Sequence, residues 1–482
     1  MKKIKNGVSY DLNGWKYISV RGSPTECGYA HGYLAAKEMK EIQVMLRFNI
    51  YHDTGLTWEY YIDICKHEMT PTILQYFPDI YEEMVGLTAG CVAAGTEITL
   101  DEMIAWNNYI SLTGYWKPNK NDYGDINTNT KEGGGAADKC SAFIANGDYT
   151  VDGKIVCAHN SFCEFVDGQY YNIILDIHPN NGHRILMQSC PCWVWSGSDF
   201  FVTGRGILGT ETTIGGFNKF ENKYPIFCRI RKAMQYGETL DDYVKILLDG
   251  NSGDYANSWL FGDTNTNEIM ALELGLKYHN VKRTKNGYFY GCNVAFDPQI
   301  RQLECGNTGY CDIRRHQGSR QVRLPDLMDI HKGKINIEVA KMIIADHYDV
   351  YLKKEDNPCS RTVCSHYNLD AREYMSQSDR PKPFHPKGAI DGAVIDTNMA
   401  KHMSFSMRWG SSCGTPFDKT KYCNEHRQFS YLRPYLHDRP EQPWTDFSSH
   451  SYGHIKYAKM KNAPTRKMRS RKPITRKNKR FL

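Results

Sequence analysis

Apolar residues recur at helical spacing through much of the chain between Ser23 and Trp116. The run SPTECGYAHGYLAAKEMKEIQVMLRF opens with a Ser-Pro pair, which is typical of a helix start. The run TLDEMIAWNNYISL opens with the capping-box spacing of Thr99 and Glu102. These patterns predict a mainly helical N-terminal segment, residues 1–116.

The helical spacing is lost over residues 117–139, KPNKNDYGDINTNTKEGGGAADK. This stretch is polar, rich in Gly, Asn, Asp and Lys, and without periodicity, which predicts an exposed linker that proteases can reach.

Strand patterns dominate after Cys140. The run CSAFIANGDYTVDGKIVCAHNSF predicts two strands joined by a turn near residues 151–154, and KGAIDGAVIDTNMAKHMSFSMRWG predicts a late hairpin. Helical patterns interrupt the strands at FCRIRKAMQYGETLDDYVKILLDG and NIEVAKMIIADHY. Many antiparallel strands with a few inserted helices predict an α+β layered fold over residues 140–455.

The net charge of the 482-residue chain is +6, but it is unevenly distributed. Twelve of the 60 Lys and Arg residues lie between Lys456 and Leu482, where no acidic residue occurs. The preceding residues therefore carry 48 basic and 54 acidic side chains, a mildly acidic body. The segment 456–482 is predicted to be a disordered basic tail that contacts nucleic acid, an anionic membrane or an import receptor, or is simply solvated.

Targeting signals do not stand out in the sequence. Residues 1–15 lack the apolar run of a secretory signal, no run reaches the roughly 18 apolar residues of a membrane span, and no Asn-X-Ser/Thr acceptor occurs. The 16 cysteines are scattered. These features favour a reducing, intracellular setting in which most cysteines are small buried apolar residues.

Cys140 is the candidate nucleophile. It starts a predicted strand directly after the glycine-rich loop GGGAADK. A thiol nucleophile needs a base, and a residue that cleavage makes N-terminal can use its own α-amine, which titrates near pH 7.7–8.0. By this interpretation Cys140 first cleaves the Lys139–Cys140 peptide bond and then acts on an external substrate. The alternative is a buried thiol without a chemical role.

Several blocks after Cys140 resemble those of the phospholipase B-like family, in the same order. They are the Cys-Ser-Ala start, the close HNSF, SGSDFFVTGRGILGTETT with Glu211 where Gln is usual, NSGDYANSWLFGD, NVAF, DNPCSRTVCSHYNLD and GAIDGAVIDTNMA. The earlier run CGYAHGYLAAKEM also looks like the start of penicillin acyltransferase-type cysteine peptidases and acid ceramidase-like amidases. The resemblance implies a four-layer αββα sandwich of the N-terminal nucleophile (Ntn) hydrolases, with a mainly helical N-terminal segment.

The resemblance also implies roles for single residues. Cys140 would be the nucleophile, and His159 on the next strand would orient or polarise it, although a core histidine is the alternative. Asn293 is the first choice for a donor to a tetrahedral oxyanion. The second choices are Asn257, Thr212 and Thr213, for which a turn or strand-edge hydrogen bond is the alternative.

Two further residues are predicted to bind substrate. The role of Asn160 is open, because the acyltransferase relatives have an Asp near this point and this chain has Phe162 and Cys163. Arg301 is a candidate for orienting a substrate carboxylate or phosphate.

Other motifs carry no prediction of chemistry. GSSCG fits G-x-S-x-G, the nucleophile elbow of α/β-hydrolases, in which a helix follows the serine directly. Here Pro416 lies two residues beyond the motif, where that helix should run. Cys190-Pro-Cys192 and Cys359-x4-Cys364 lack the second ligand pair of a zinc site, so no metal is predicted.

The sequence therefore predicts a self-processing hydrolase that cleaves an acyl ester or amide through a thioester on Cys140. The expected partner is a lipid or N-acyl small molecule, and no cofactor is expected. The resemblance favours phospholipid deacylation. An N-acyl amidase, peptidase or acyltransferase and a non-catalytic binding or structural protein are the alternatives.

Overall fold

Two β-sheets lie at the centre of the protein. The computed structural model describes residues 1–116, 140–198, 200–306, 309–371 and 383–449, so the predicted linker 117–139 and basic tail 456–482 lie outside the described residues. Within these ranges the strands β1 to β17 are, in chain order, Lys2–Ile4, Gly7–Leu12, Trp15–Gly22, Cys140–Asn146, Val156–Glu164, Ile173–Pro179, Ile185–Ser189, Phe201–Thr203, Ile207–Thr213, Asn257–Asp263, Glu268–Leu274, His279–Thr284, Gly287–Gly291, Lys387–Ala389, Asp391–Asp396, Ser404–Trp409 and Thr445–Ser448.

The first sheet has ten strands in the order β1-β2-β3-β6-β7-β8-β9-β10-β11-β12. Its strand pairs are antiparallel except for the parallel pair β3–β6, in which Ile18 lies opposite Leu175. The second sheet is antiparallel, has the order β13-β4-β5-β15-β16-β17, and carries β14 paired to β5. Both strands of the predicted hairpin after Cys140, β4 and β5, are therefore central in the second sheet.

The helices in the described ranges flank these sheets. From α1 to α13 they are Pro24–Thr54, Trp58–Ile64, Thr70–Tyr76, Pro78–Ala93, Leu100–Asn107, Tyr109–Tyr115, Phe165–Gly168, Ile226–Tyr236, Leu240–Leu248, His316–Ile330, Ile337–Ile344, Thr397–Lys401 and Lys419–Glu425. None of these helices combines the length and the apolar character needed to cross a bilayer.

The alternation of side chains along β4 separates the layers. Ala142 and Ile144 belong to the core between the two sheets, whereas Phe143 and Ala145 pack with α10 and α11 on the outer face of the second sheet. Another core joins the opposite face of the first sheet to α1, α4, α8 and α9. The order helix, sheet, sheet, helix confirms the predicted four-layer αββα sandwich.

The segment 1–116 is mainly helical, as the spacing predicts, but its first 22 residues form β1–β3. These short strands add to the first sheet through the β3–β6 pair, so residues before and after the linker share one sheet and one compact unit, Met1–Ser449. These strands are only three to eight residues long, and runs as short as WKYISVRG are too brief for alternation to indicate a strand clearly.

Helices α1 and α4 pack backbone against backbone. A Cβ atom added at Gly28 of α1 would lie 2.0 Å from Glu83 O, and one added at Gly86 of α4 would lie 2.3 Å from Thr25 O. Glycine at both positions allows this close approach, which explains Gly28 in the run CGYAHGY.

We predict that Gly28→Ala lowers the free energy of unfolding by about 1–3 kcal/mol through overpacking. The direction is informative because Gly→Ala in a helix otherwise favours folding by about 1 kcal/mol. Gly204→Ala is the matched control, since its added Cβ would lie 3.5 Å from the nearest heavy atom and should change little. Urea unfolding followed by circular dichroism measures both variants, and an unchanged or raised stability of Gly28→Ala would contradict the packing.

Candidate active site

Cys140 is the first residue of β4 and lies opposite Ser161 of β5. Its exposed fraction is 1%. His159 lies two residues before Ser161, opposite Ala142, so that the cysteine and the histidine share one face of the second sheet. The strand pairing thus brings Cys140 and His159, the candidate nucleophile and its predicted partner, to neighbouring positions.

Polar side chains from other elements contact Cys140. Its backbone nitrogen donates to Asn293 Oδ1 at 3.3 Å, and its Sγ lies 3.7 Å from Glu211 Oε1 at the end of β9. Asn293 follows β13 with a φ of 64°, a left-handed conformation that Asn tolerates better than most residues. Its Nδ2 donates to Thr213 O at 2.8 Å, so the side-chain oxygen is the atom turned to Cys140.

The Glu211 carboxylate is held by two neighbours. Tyr255 donates its hydroxyl proton to Oε1 at 2.7 Å. With the Asn257 amide oriented to satisfy its surroundings, Nδ2 donates to Oε2 at 2.9 Å. The same nitrogen also donates to Ala256 O at 2.9 Å, so the Asn257 side chain contacts Glu211 and the neighbouring backbone.

The guanidinium of Arg320, from α10, is fully buried beside Cys140. It donates to oxygen atoms at the start of β4 and just after β13: Cys140 O, Ser141 Oγ (3.0 Å), Cys292 O (3.1 Å) and Asn293 Oδ1 (2.7 Å). Its planar fork of donors fixes these two strand ends relative to one another. Arg320 therefore positions both the candidate nucleophile and Asn293.

His159 is enclosed in the core. Burial lowers the pKa of its imidazole to about 3, and a weaker contact with the backbone of Glu211 opposes this shift. Within the described part of the chain neither ring nitrogen has a hydrogen-bond partner of normal geometry. The ring is therefore neutral at physiological pH, which suits it to polarising a neighbour rather than carrying charge.

Thr212 and Thr213 end β9 next to this cluster. Both are buried, and neither hydroxyl oxygen has a hydrogen-bond partner among the described residues. Because the two threonines are consecutive in the strand, their side chains lie on opposite faces of the first sheet.

The remaining predicted substrate contacts are occupied elsewhere. Asn160 lies on the opposite face of β5 from His159, where Oδ1 accepts from Ser141 N and Nδ2 donates to Ile344 O, Val363 O and Ser412 Oγ. Arg301 donates to Ala295 O and Phe296 O and stacks 4.0 Å from the ring centre of Tyr310. The described contacts give Asn160 and Arg301 framework roles, and Lys139 lies outside the described residues.

A buried carboxyl supports the strand opposite Cys140. Asp391 of β15 accepts from Ser161 N at 2.7 Å and from Gln188 Nε2 at 2.7 Å. Burial raises the pKa of this carboxyl to about 6, against the opposing effect of these donors. Asp391 stabilises the local geometry of β5 beside the candidate nucleophile.

The sequence analysis assigns no role to Arg320, Tyr255 or Asp391. Arg320 comes from α10, whose run HQGSRQVRLPDLMDI includes Pro325 and lacks a clear apolar stripe. A departure from the family blocks does mark Glu211, and Tyr255 lies within the block that contains Asn257.

The described residues enclose several cavities. One of about 370 Å³ is lined by residues such as Phe77, Arg231 and Gln235. Another of about 200 Å³ is lined mainly by apolar residues, including Leu260, Phe289 and Phe296, and also by Ser258, which pairs with Thr212. Neither lining includes Cys140.

The low pKa of His159 predicts an acid-sensitive fold. Because the unfolded imidazole binds a proton below its ordinary pKa near 6.5 and the folded one does not, stability is lost as the pH falls from about 6.5 toward 3. We predict that lowering the pH from 7.5 to 5.0 decreases the free energy of unfolding by about 2 kcal/mol less in His159→Phe than in the wild type.

Urea unfolding at the two pH values measures this difference. Other titrating groups are common to both proteins and cancel. The exposed His279 of β12 supplies the control His279→Gln, which should keep the wild-type acid response. Equal losses in His159→Phe and the wild type would mean that the folded protein protonates His159.

Comparison with known proteins places the chain near one group by sequence. It is 26% identical over 246 residues to "Phospholipase B" of Crotalus adamanteus, covering 45% of this chain and 41% of that protein. It is 34% identical over 89 residues to "Putative phospholipase B-like 2" of Rattus norvegicus, covering 17% of this chain and 15% of the rat protein. An uncharacterized protein of Archaeoglobus fulgidus is 24% identical over 275 residues, covering 52% of this chain and 42% of its own length. The chain thus spans less than half the length of each of these relatives.

The other comparisons add less. No family model matches the chain. Among solved structures, a mutant conjugated bile acid hydrolase from Clostridium perfringens aligns with a TM-score of 0.30 and 8% identity, covering 66% of this chain and 99% of its own. The four-layer architecture rests on this chain's own strand pairs and cores. The sequence matches confirm the resemblance that the blocks after Cys140 indicated: the chain is similar in sequence to proteins named phospholipase B and phospholipase B-like.

Proposed function

We propose that the protein is a self-processing cysteine hydrolase of the Ntn type, which cleaves acyl ester or amide bonds through a thioester on Cys140. One observation carries the proposal. Cys140 starts β4 with its backbone nitrogen on Asn293 Oδ1 and its thiol beside Glu211. The sequence relation to proteins named phospholipase B favours a lipid acyl ester as the substrate.

Self-processing begins while the nitrogen of Cys140 is still an amide and cannot act as a base. Glu211 Oε1, 3.7 Å from the thiol, is then the acceptor for its proton. Sγ attacks the Lys139 carbonyl carbon, the C–N bond to Cys140 breaks, and the proton passes to the leaving nitrogen. Water then hydrolyses the thioester, which leaves a carboxylate on Lys139 and a free α-amine on Cys140.

The freed amine becomes the base for the external substrate. Asn293 Oδ1 already accepts from this nitrogen and would hold the amine beside the thiol. The amine takes the thiol proton as Sγ attacks the acyl carbonyl, and returns it to the leaving alcohol or amine. Water then releases the acyl group as a carboxylic acid.

The donor for the tetrahedral oxyanion comes from the end of β9, where Thr213 lies on the same face of the strand as Glu211 and Thr212 lies on the opposite face. The hydroxyls of Thr212 and Thr213 are buried, and the described residues provide no partner for their oxygens. A fixed neutral donor of this kind is worth on the order of 3 kcal/mol in the transition state. Asn293 is less suited to this role because its Nδ2 already donates to Thr213 O.

Cys140→Ala tests the proposal directly. We predict that intact mass spectrometry of the wild type finds two fragments that separate between Lys139 and Cys140, and finds one uncut chain for Cys140→Ala. The processed wild type should release fatty acid from phosphatidylcholine vesicles or from N-acyl amino acids, and the variant should release neither.

Cys157→Ala is the matched control, because Cys157 is a buried thiol on the neighbouring strand opposite Ile144. It should be cut and active. Hydrolysis of only the N-acyl compound would assign an amidase in place of a lipase. An uncut wild type at neutral and acidic pH, inactive on both substrates, would favour a non-catalytic binding protein.

The role of Glu211 has its own test. We predict that Glu211→Gln slows self-cleavage by about 10²-fold, since a positioned base contributes on that order and the amide cannot accept the proton. The amide keeps the size of the carboxyl and an acceptor for Tyr255, so folding should survive. The fraction cleaved with time after refolding is measured by gel electrophoresis, and cleavage at the wild-type rate would show that another group takes the proton.

A further inference from the structure

Four side chains of metal-ligand type meet on the outer side of the second sheet. His347 follows α11, Cys364 and His366 lie in the loop before β14, and Cys413 follows β16. One potential ligand atom from each lies within 4.8 Å of all the others. The connection between α11 and β14 and the loop after β16 therefore converge on one point.

The distances are those of ligands around a shared centre. His366 Nε2 lies 3.2 Å from His347 Nε2, 3.3 Å from Cys364 Sγ and 3.4 Å from Cys413 Sγ. One imidazole nitrogen carries a single proton or a single lone pair, so hydrogen bonds cannot account for all three contacts. Atoms bound at about 2.0–2.3 Å to one tetrahedral Zn²⁺ lie about 3.3–3.8 Å from one another, which matches these contacts.

We propose that His347, Cys364, His366 and Cys413 form a Cys2His2 site for Zn²⁺. Thiolate and imidazole are ligands that select zinc over magnesium or calcium. All four ligands come from the protein, so no coordination position is left for water or substrate, and the site is structural. This proposal departs from the sequence prediction of no metal and does not depend on Cys140 being the nucleophile.

The surroundings of the cluster support the ligand roles. Asp356 Oδ1 lies 3.2 Å from His347 Nδ1, an arrangement that would fix the proton on Nδ1 and leave Nε2 for the metal. The backbone nitrogen of Thr415 donates to Cys413 Sγ at 3.4 Å, as is suitable for a thiolate. Cys364 and His366 are buried while His347 and Cys413 are half-buried, so an ion can enter from the surface.

The metal would fasten the loops that hold Asn160. Val363, next to Cys364, accepts through its carbonyl from Asn160 Nδ2, and Ser412, next to Cys413, accepts through Oγ from the same nitrogen. The third partner is the carbonyl of Ile344, three residues before His347. Since Asn160 Oδ1 accepts from Ser141 N, the site would support β4 directly after Cys140.

The test uses the full chain, purified under reducing conditions without chelator and with any histidine tag removed. We predict that elemental analysis by mass spectrometry finds about one zinc ion per chain. After zinc removal, Co²⁺ should give the visible bands of tetrahedral coordination with a thiolate-to-cobalt charge-transfer band. Cys413→Ser and His366→Ala should abolish these signals.

Cys359→Ser is the matched control, because its buried thiol lies 3.7 Å from Asp349 Oδ2, outside the cluster, and five residues before Cys364. It should keep a full zinc complement. Asp356→Asn changes an exposed residue without removing a ligand, and it should weaken zinc binding about tenfold in competition with a chromophoric chelator.

Three results would overturn the proposal. They are a wild type that neither contains zinc nor gives cobalt bands, zinc content unchanged in both ligand variants, or a Cys364–Cys413 disulfide found by peptide mapping of the protein under these reducing conditions. If a ligand variant fails to fold, the zinc affinity of Asp356→Asn still tests the proposal, because this variant keeps all four ligands.

Discussion

A buried positive charge sets the geometry of the site. A guanidinium removed from water must have its donors satisfied, or the fold loses several kcal/mol. Arg320 meets this requirement with oxygen atoms from the start of β4 and the residues just after β13. One side chain from the outer helical layer thereby locks two strand ends together. The left-handed turn at Asn293 and the position of the Cys140 backbone both depend on it.

The residues around Cys140 divide into an inner and an outer set. Glu211 of the first sheet lies beside the thiol, and Tyr255 and Asn257 donate to its carboxylate. Asn160 holds Ser141 from the opposite side of the second sheet. Alternate residues of a strand face opposite sides of the sheet. At the start of β4, the groups that can react with the candidate nucleophile Cys140 therefore lie on one side, and the contacts that hold the strand in place lie on the other. The zinc cluster belongs to the supporting side.

Patterns local in sequence predicted the parts of the fold that are local in space. The hairpin β4–β5, the capped start of α1 at Ser23 and the helix α11 follow from spacing and turn residues. The single helical stretch predicted from FCRIRKAMQYGETLDDYVKILLDG is two helices, α8 and α9, because Thr239 caps a new helix start. The strand pairing then brings His159 beside Cys140, as the family blocks imply. The sequence could not predict contacts between residues that lie far apart along the chain. Arg320 reaches Cys140 over 180 residues, and the cluster from His347 to Cys413 has no pair of ligands at zinc-finger spacing. Those contacts exist only after the layers have assembled.

The parallel pair β3–β6 crosses the region of the proposed cut, since β3 precedes residues 117–139 and β6 follows them. A chain severed before Cys140 therefore remains one particle, held by a shared sheet and the core beneath it. Its folding, however, changes in kind. Before the cut the two halves find each other within one molecule, and afterwards reassembly is a second-order encounter that weakens with dilution. After cleavage, the lifetime of the folded protein would be set by its rate of unfolding and dissociation, and no longer by an equilibrium between folded and unfolded chains.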